Sequence, residues 1–83
     1  MKYEYPGGLE EWEKPLVEVF ERDYLPFTMK HGPRIGEDAM NGDLDAEEVI
    51  RRQRLFVEGL PTMRKLNLSL LGEAIKRWER KRT

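Results

Sequence analysis

Cysteine is missing altogether from this chain of 83 residues. Its absence excludes disulfides, thiolate metal sites and cysteine nucleophiles together, and argues against a small secreted scaffold held by cross-links. Histidine occurs once, as His31, and serine once, as Ser69. One histidine with no thiolate to join it is a poor start for a transition-metal site. Ser69 lies in the apolar run LNLSLLG, where helix capping or packing accounts for it better than nucleophilic attack. Long apolar runs are lacking too: no stretch approaches the roughly 20 residues needed to cross a bilayer, and the acidic start MKYEYPGGLEEWE is unlike a signal peptide. Neither Gly7-Gly8 nor Gly32-Pro33 fits a phosphate-binding pattern. These absences predict a soluble, cytoplasmic protein that is not an enzyme, with no metal, no cofactor, no small-molecule substrate and no membrane association.

Charge is what the chain has in quantity. Charged residues make up 37% of it, yet the net charge is only −1, because the two halves differ in sign. Residues 1–42 hold five basic side chains against nine acidic ones, and residues 43–83 hold ten against seven. Glu, Lys and Arg are plentiful while Asn and Gln are scarce, a bias found in heat-adapted proteins. The length allows one domain. A domain this small buries only about 60% of the surface its unfolded chain exposes, so a partner or a second copy is a natural source of further burial.

Periodicity predicts a mainly α-helical fold, a small bundle of three to four helices. Residues 1–8 alternate large apolar and charged side chains before Pro6-Gly7-Gly8, and predict an extended arm. Leu9, Trp12, Leu16, Val19, Phe20 and Tyr24 recur at helical spacing, and Pro15 divides them into helices over about 9–14 and 15–25, ended by Pro26. Residues 26–44, PFTMKHGPRIGEDAMNGDL, lack sustained periodicity and read as a long loop with at most one helical turn near Glu37 to Met40. A helix over about 46–58 buries Val49, Phe56 and Val57, and Gly59-Leu60-Pro61 stops it with a left-handed glycine. The last helix, about 68–81, carries Leu68, Leu71, Ile75 and Trp78 on one stripe.

Within this layout EDAMNGDLDAEE, residues 37–48, has the outline of a calcium loop around Gly42. Ala39 falls where a ligand oxygen is required, and the preceding GPRIG cannot form an entering helix. A helix start explains the same residues fully: Asp45 as N-cap, Glu48 as its reciprocal partner, and Asp43 and Glu47 at the positive end of the dipole.

Two binding classes remain. The aromatic count is high for so small a core, and exposed apolar side chains rimmed by charge are what protein contact surfaces are made from. The expected protein-contact residues are Tyr3 and Tyr5 of the arm, Phe27, Met29, Ile35 and Met40 of the loop, and Leu55 and Leu70 off the main helical stripes. The alternative is a nucleic-acid-binding regulator using the basic C-terminal helices, with Arg51, Arg52, Arg54, Arg64, Lys65, Lys76, Arg77, Arg80 and Lys81 meeting phosphates. The interleaved Glu58, Glu73 and Glu79 favour a plainer reading of those basic residues, a polar face that keeps a small helical protein soluble.

Three segments, YPGGLEEWEKPL entering the first helix, RLFVEGLP, and the closing LNLSLLGEAIKRW, give the chain a pattern that resembles the small tail assembly chaperones of tailed bacteriophages. The resemblance implies a non-enzymatic helical protein that coats the tape-measure protein during tail assembly and is absent from the finished tail. It carries over no catalytic residue.

Overall fold

A computed structural model describes Tyr5 and residues 8–82. The expected arm therefore lies, apart from Tyr5 and Gly8, outside the described residues, and Tyr3 with it. A 3-10 turn at Glu11–Glu13 leads into α1 (Lys14–Val19), a π-helical turn (Phe20–Tyr24) and α2 (Leu25–Met40). Then come α3 (Leu44–Glu58), a 3-10 turn (Pro61–Met63) and α4 (Arg64–Arg80). The fold is mainly helical, and no strand occurs among the described residues.

The largest correction concerns residues 26–44, which are not a loop: α2 occupies most of them. Pro26 does not end the preceding helix either. In a regular α-helix its ring would strike the carbonyl four residues back, but the turn just before it is widened, with the Leu25 N–H donating to the Phe20 carbonyl. That π-helical register gives Pro26 room, and the ring then falls in the first turn of α2, where a missing N–H matters little. Pro33 lies inside α2. Its neighbour Gly32 presents no Cβ for the proline ring to crowd, which removes part of the usual penalty against helix before proline. Burial of Leu25, Thr28 and Ile35 along one face then supplies what local propensity does not. The Thr28 hydroxyl, also buried, donates to the Leu25 carbonyl at 3.0 Å.

Smaller corrections follow the same logic. The α-helical run starts at Lys14, and the expected helix over 9–14 is mostly a single 3-10 turn. The N-cap of α3 is Asp43, not Asp45: its carboxylate accepts from the Asp45 and Ala46 N–H groups at 2.9 and 3.2 Å. Gly42, with φ of 91°, turns the chain immediately before the cap, so the helix begins two residues earlier than expected. Gly59 is extended, with φ of −80°, so it is not the expected left-handed stop. Its role is close approach, since an added Cβ would lie 2.4 Å from the Leu55 carbonyl oxygen. Finally α4 begins at Arg64, four residues ahead of the expected start.

The helices α3 and α4 pair in antiparallel register. Asp43 meets Lys81, Asp45 meets Arg77, Arg52 meets Asn67, and the Phe56 carbonyl meets Arg64. Val49, Phe56, Leu71, Ala74 and Trp78 face inward from this hairpin and are buried, together with Phe20 and Ile35 from the first half of the chain. Phe20 stacks on Phe56 with ring centroids 4.6 Å apart. Gly72 brings α4 close to Tyr24, whose hydroxyl would lie 2.7 Å from an added Cβ.

Candidate functional site

Between α2 and α3 runs an open groove of about 410 Å³. Its floor is built by Thr28, Gly32 and Ile35 from α2 and by Val49 and Val57 from α3. Its walls carry Met29, 61% exposed, and Ile50, 41% exposed. The recess exists because Gly32 stands where the helical stripe would place a side chain, and a Cβ added there would meet nothing within 4 Å. Gln53, Arg54 and Glu58 form the rim on the α3 side. A shallower depression lined by Glu21, Leu25, Pro26, Met29 and Lys30 continues the groove beyond Met29. Chemically this is an apolar slot with a few polar groups at its edge, suited to receiving side chains from another polypeptide.

The acidic turn between α2 and α3 has a different use. Asp38, Asp43 and Asp45 receive the basic end of α4: Lys81 Nζ lies 3.1 Å from Asp43 Oδ1 and 2.8 Å from Asp45 Oδ2, and Arg77 Nε lies 2.9 Å from Asp45 Oδ1. Arg82 pairs with Asp38 and covers the Trp78 ring at 5.0 Å, while the Trp78 indole N–H donates to Asp38 at 2.8 Å. Hydrogen bonds from Lys81 and then Arg77 hold Asp45 below the usual carboxylate range. Partial burial pushes Asp43 up, but bonds from Lys81 and the Ala46 and Asp45 N–H groups outweigh it and its pKa is lowered. Lys81 is raised in turn by its bonds to Asp45 and Asp43. Among the described residues no three acidic or histidine side chains come together as a metal site.

A third feature, an ion pair between Glu13 and Arg64, is wholly internal. Both side chains are buried. Arg64 Nη1 donates to Glu13 Oε2, Arg64 Nε donates to the Phe56 carbonyl at 3.2 Å, and the Glu10 N–H donates to Glu13 Oε1 at 3.2 Å. Tyr5 closes the site, its ring centroid 5.3 Å from the guanidinium carbon. Nothing in the sequence spacing connects Glu13 to Arg64; only the fold does.

The residues expected at a protein contact are scattered by this structure. Met29 stands on the groove wall, and Met40 is 89% exposed at the far end of α2. Ile35 is corrected from contact residue to core, because helical α2 turns it inward to 2% exposure. Phe27 is half-buried with its ring edge-on to Trp78, and His31, expected in a loop, lies on α2 against both rings. Tyr5 packs edge-on to Phe56, and its hydroxyl donates to Glu21 at 3.2 Å. Leu55 and Leu70 are half-buried, on α3 and α4.

The basic residues of the alternative reading are divided as well. Arg64 is removed from it outright by burial. Arg51 and Arg52 both pair with Glu48, and Arg77 and Lys81 belong to the acidic turn. Arg54, Lys65, Lys76 and Arg80 are exposed, but they are shared between α3 and α4 with Glu58, Glu73 and Glu79 exposed among them. Sequence reasoning missed the groove because its α2 side rests on Thr28 and Gly32, residues that carry no signal until residues 26–40 are known to be helical, although Val49 and Val57 on its α3 side were legible as buried. Comparison with protein families, with curated proteins and with solved structures finds no match for this chain.

Proposed function

We propose that this chain is a non-enzymatic protein-contact module, an adaptor or assembly factor that receives part of a polypeptide in the groove between α2 and α3. The observation that carries this reading is the exposure of Met29 and Ile50 on opposite walls of an apolar recess, a position that leaves hydrophobic area in water until something covers it. The placement of the reactive groups supports a contact role over catalysis, since His31 packs on aromatic rings and Ser69 stands exposed on α4. The narrower role of an assembly chaperone rests on the sequence pattern alone. No helix among the described residues is long and apolar enough to cross a membrane.

The test replaces Met29 by a photo-reactive amino acid and irradiates cells expressing the full chain. Discrete protein adducts that disappear when Ile50→Asp is added support the reading. Adducts to nucleic acid, or loss of adducts only on charge reversal at Arg54, Lys65 and Lys76, would transfer the function to the basic face. Absence of any adduct from position 29 would refute the groove as a contact surface.

A further inference from the structure

We infer that the groove between α2 and α3 is closed by a second copy of this chain across a twofold axis. The inference rests on the contact reading above and names the polypeptide that makes the contact. In a twofold dimer the same patch lies on both sides, so the patch must be complementary to itself in shape and in charge.

The shape condition is met on α2. Met29 projects, and Gly32, nearly one turn further along, is a recess in which an added Cβ would meet nothing within 4 Å. Two antiparallel copies of α2 brought face to face place each Met29 over the Gly32 recess of the other copy. Such closeness of helices at small residues is limited only by backbone contact.

The charge condition is met on both walls. The groove and its extension carry Glu21 and Lys30 beside α2 and Arg54 and Glu58 on α3. Two acids and two bases leave the patch neutral, so it neither repels its own copy nor attracts a polyanion or a polycation. Arg54 and Glu58 lie one turn apart and make no ion pair with any described residue, whereas Glu48, Arg51 and Arg52 of the same helix are paired. Met29 and Gly32 line the groove from α2, and Gln53, Arg54, Val57 and Glu58 line it from α3. An axis passing through this stretch of the groove sets Arg54 of each copy against Glu58 of the other while the methionines interlock.

Sedimentation of the full chain over a wide range of concentration tests this. The expected result is a mass that rises from monomer to dimer. Gly32→Leu fills the recess, though its Cβ also crowds the Pro33 ring, and holds the mass at the monomer value. Circular dichroism checks that the monomer stays folded, and Ile50→Glu, which leaves residue 32 untouched, should give the same mass. Arg54→Glu weakens the dimer about tenfold, and Arg54→Glu with Glu58→Arg restores it, because the exchanged charges meet again across the axis. A monomer at every concentration, or a dimer that tolerates Gly32→Leu and Ile50→Glu, overturns the inference. If the chain stays monomeric while position 29 still cross-links to a different protein, self-association fails and the contact reading stands. A monomer without cross-links refutes both.

Discussion

Arg64 is the side chain on which most of the molecule converges. Its guanidinium is fully buried, and it joins the 3-10 turn before α1, the C-terminal part of α3, and the ring of Tyr5. The attraction within such a pair is offset by the desolvation of both ions, so its presence contributes little net stability, yet removing one partner strands the other in an apolar interior. Glu13→Ala or Arg64→Ala should therefore cost about 3–5 kcal/mol. For a chain of this size that is much of the whole folding free energy, at roughly 0.05–0.15 kcal/mol per residue. The double replacement Glu13→Leu with Arg64→Met should recover most of the loss, and urea unfolding of the single and double variants measures both. Among the described residues Arg64 Nη2 finds no hydrogen-bond partner, which makes the double replacement less costly still.

Among the elements, α2 is the one held least by its own residues. Pro33 withholds one backbone bond, and Gly32 and Gly36 raise the entropy of the unfolded chain. Amide exchange should show residues 34–39 opening well before the central turns of α3 and α4. Gly36→Ala, where the new methyl meets nothing within 4 Å, should slow that exchange and raise stability by about 0.5–1 kcal/mol. The same residues explain what could be read from the chain alone. In α3 and α4 the buried positions Val49, Phe56, Leu68, Leu71, Ile75 and Trp78 are large and apolar, so periodicity announces both helices. In α2 the inward stripe is Leu25, Thr28, Gly32, Ile35 and Ala39, of which Gly32 and Ala39 are only half-buried, and two of its five members carry no apolar side chain of any size. Tertiary burial overrides the local signal there, and with the helix went the groove it forms. The start of α4 was hidden for a similar reason, because a buried arginine in its first turn looks like an exposed one. Met29, by contrast, was legible as a contact residue, although of an expected loop and not of a helix.

For the whole molecule, the acidic turn closes the far end of the bundle by binding the end of α4. Asp43, Asp45 and Glu48 all titrate below their ordinary ranges in the folded protein: bonds from Lys81 and Arg77 hold Asp45, bonds from Arg51 and Arg52 hold Glu48, and at Asp43 the bonds from Lys81 and the helix N–H groups outweigh partial burial. A lowered carboxylate pKa contributes stability that is complete above the unfolded value of about 4 and is lost as pH falls through the lower folded value. Stability should thus stay level from neutral pH to roughly pH 5 and decline below about pH 4. The decline should be shallower in an Asp43→Asn, Asp45→Asn variant, which has already given up that contribution. Thermal unfolding at a series of pH values measures it, and added salt should weaken the same contacts, since Lys81 and Arg77 are half in solvent.

The Glu13–Arg64 pair also sets an order of events in time. During synthesis Glu13 leaves the ribosome 51 residues ahead of its buried partner Arg64, and α2, weak by itself, is complete long before α4 exists. Until Arg64 has been made, the Glu13 carboxylate lacks the cation beside which it is buried in the folded structure. Burial of Glu13 can therefore follow only the synthesis of the first turn of α4.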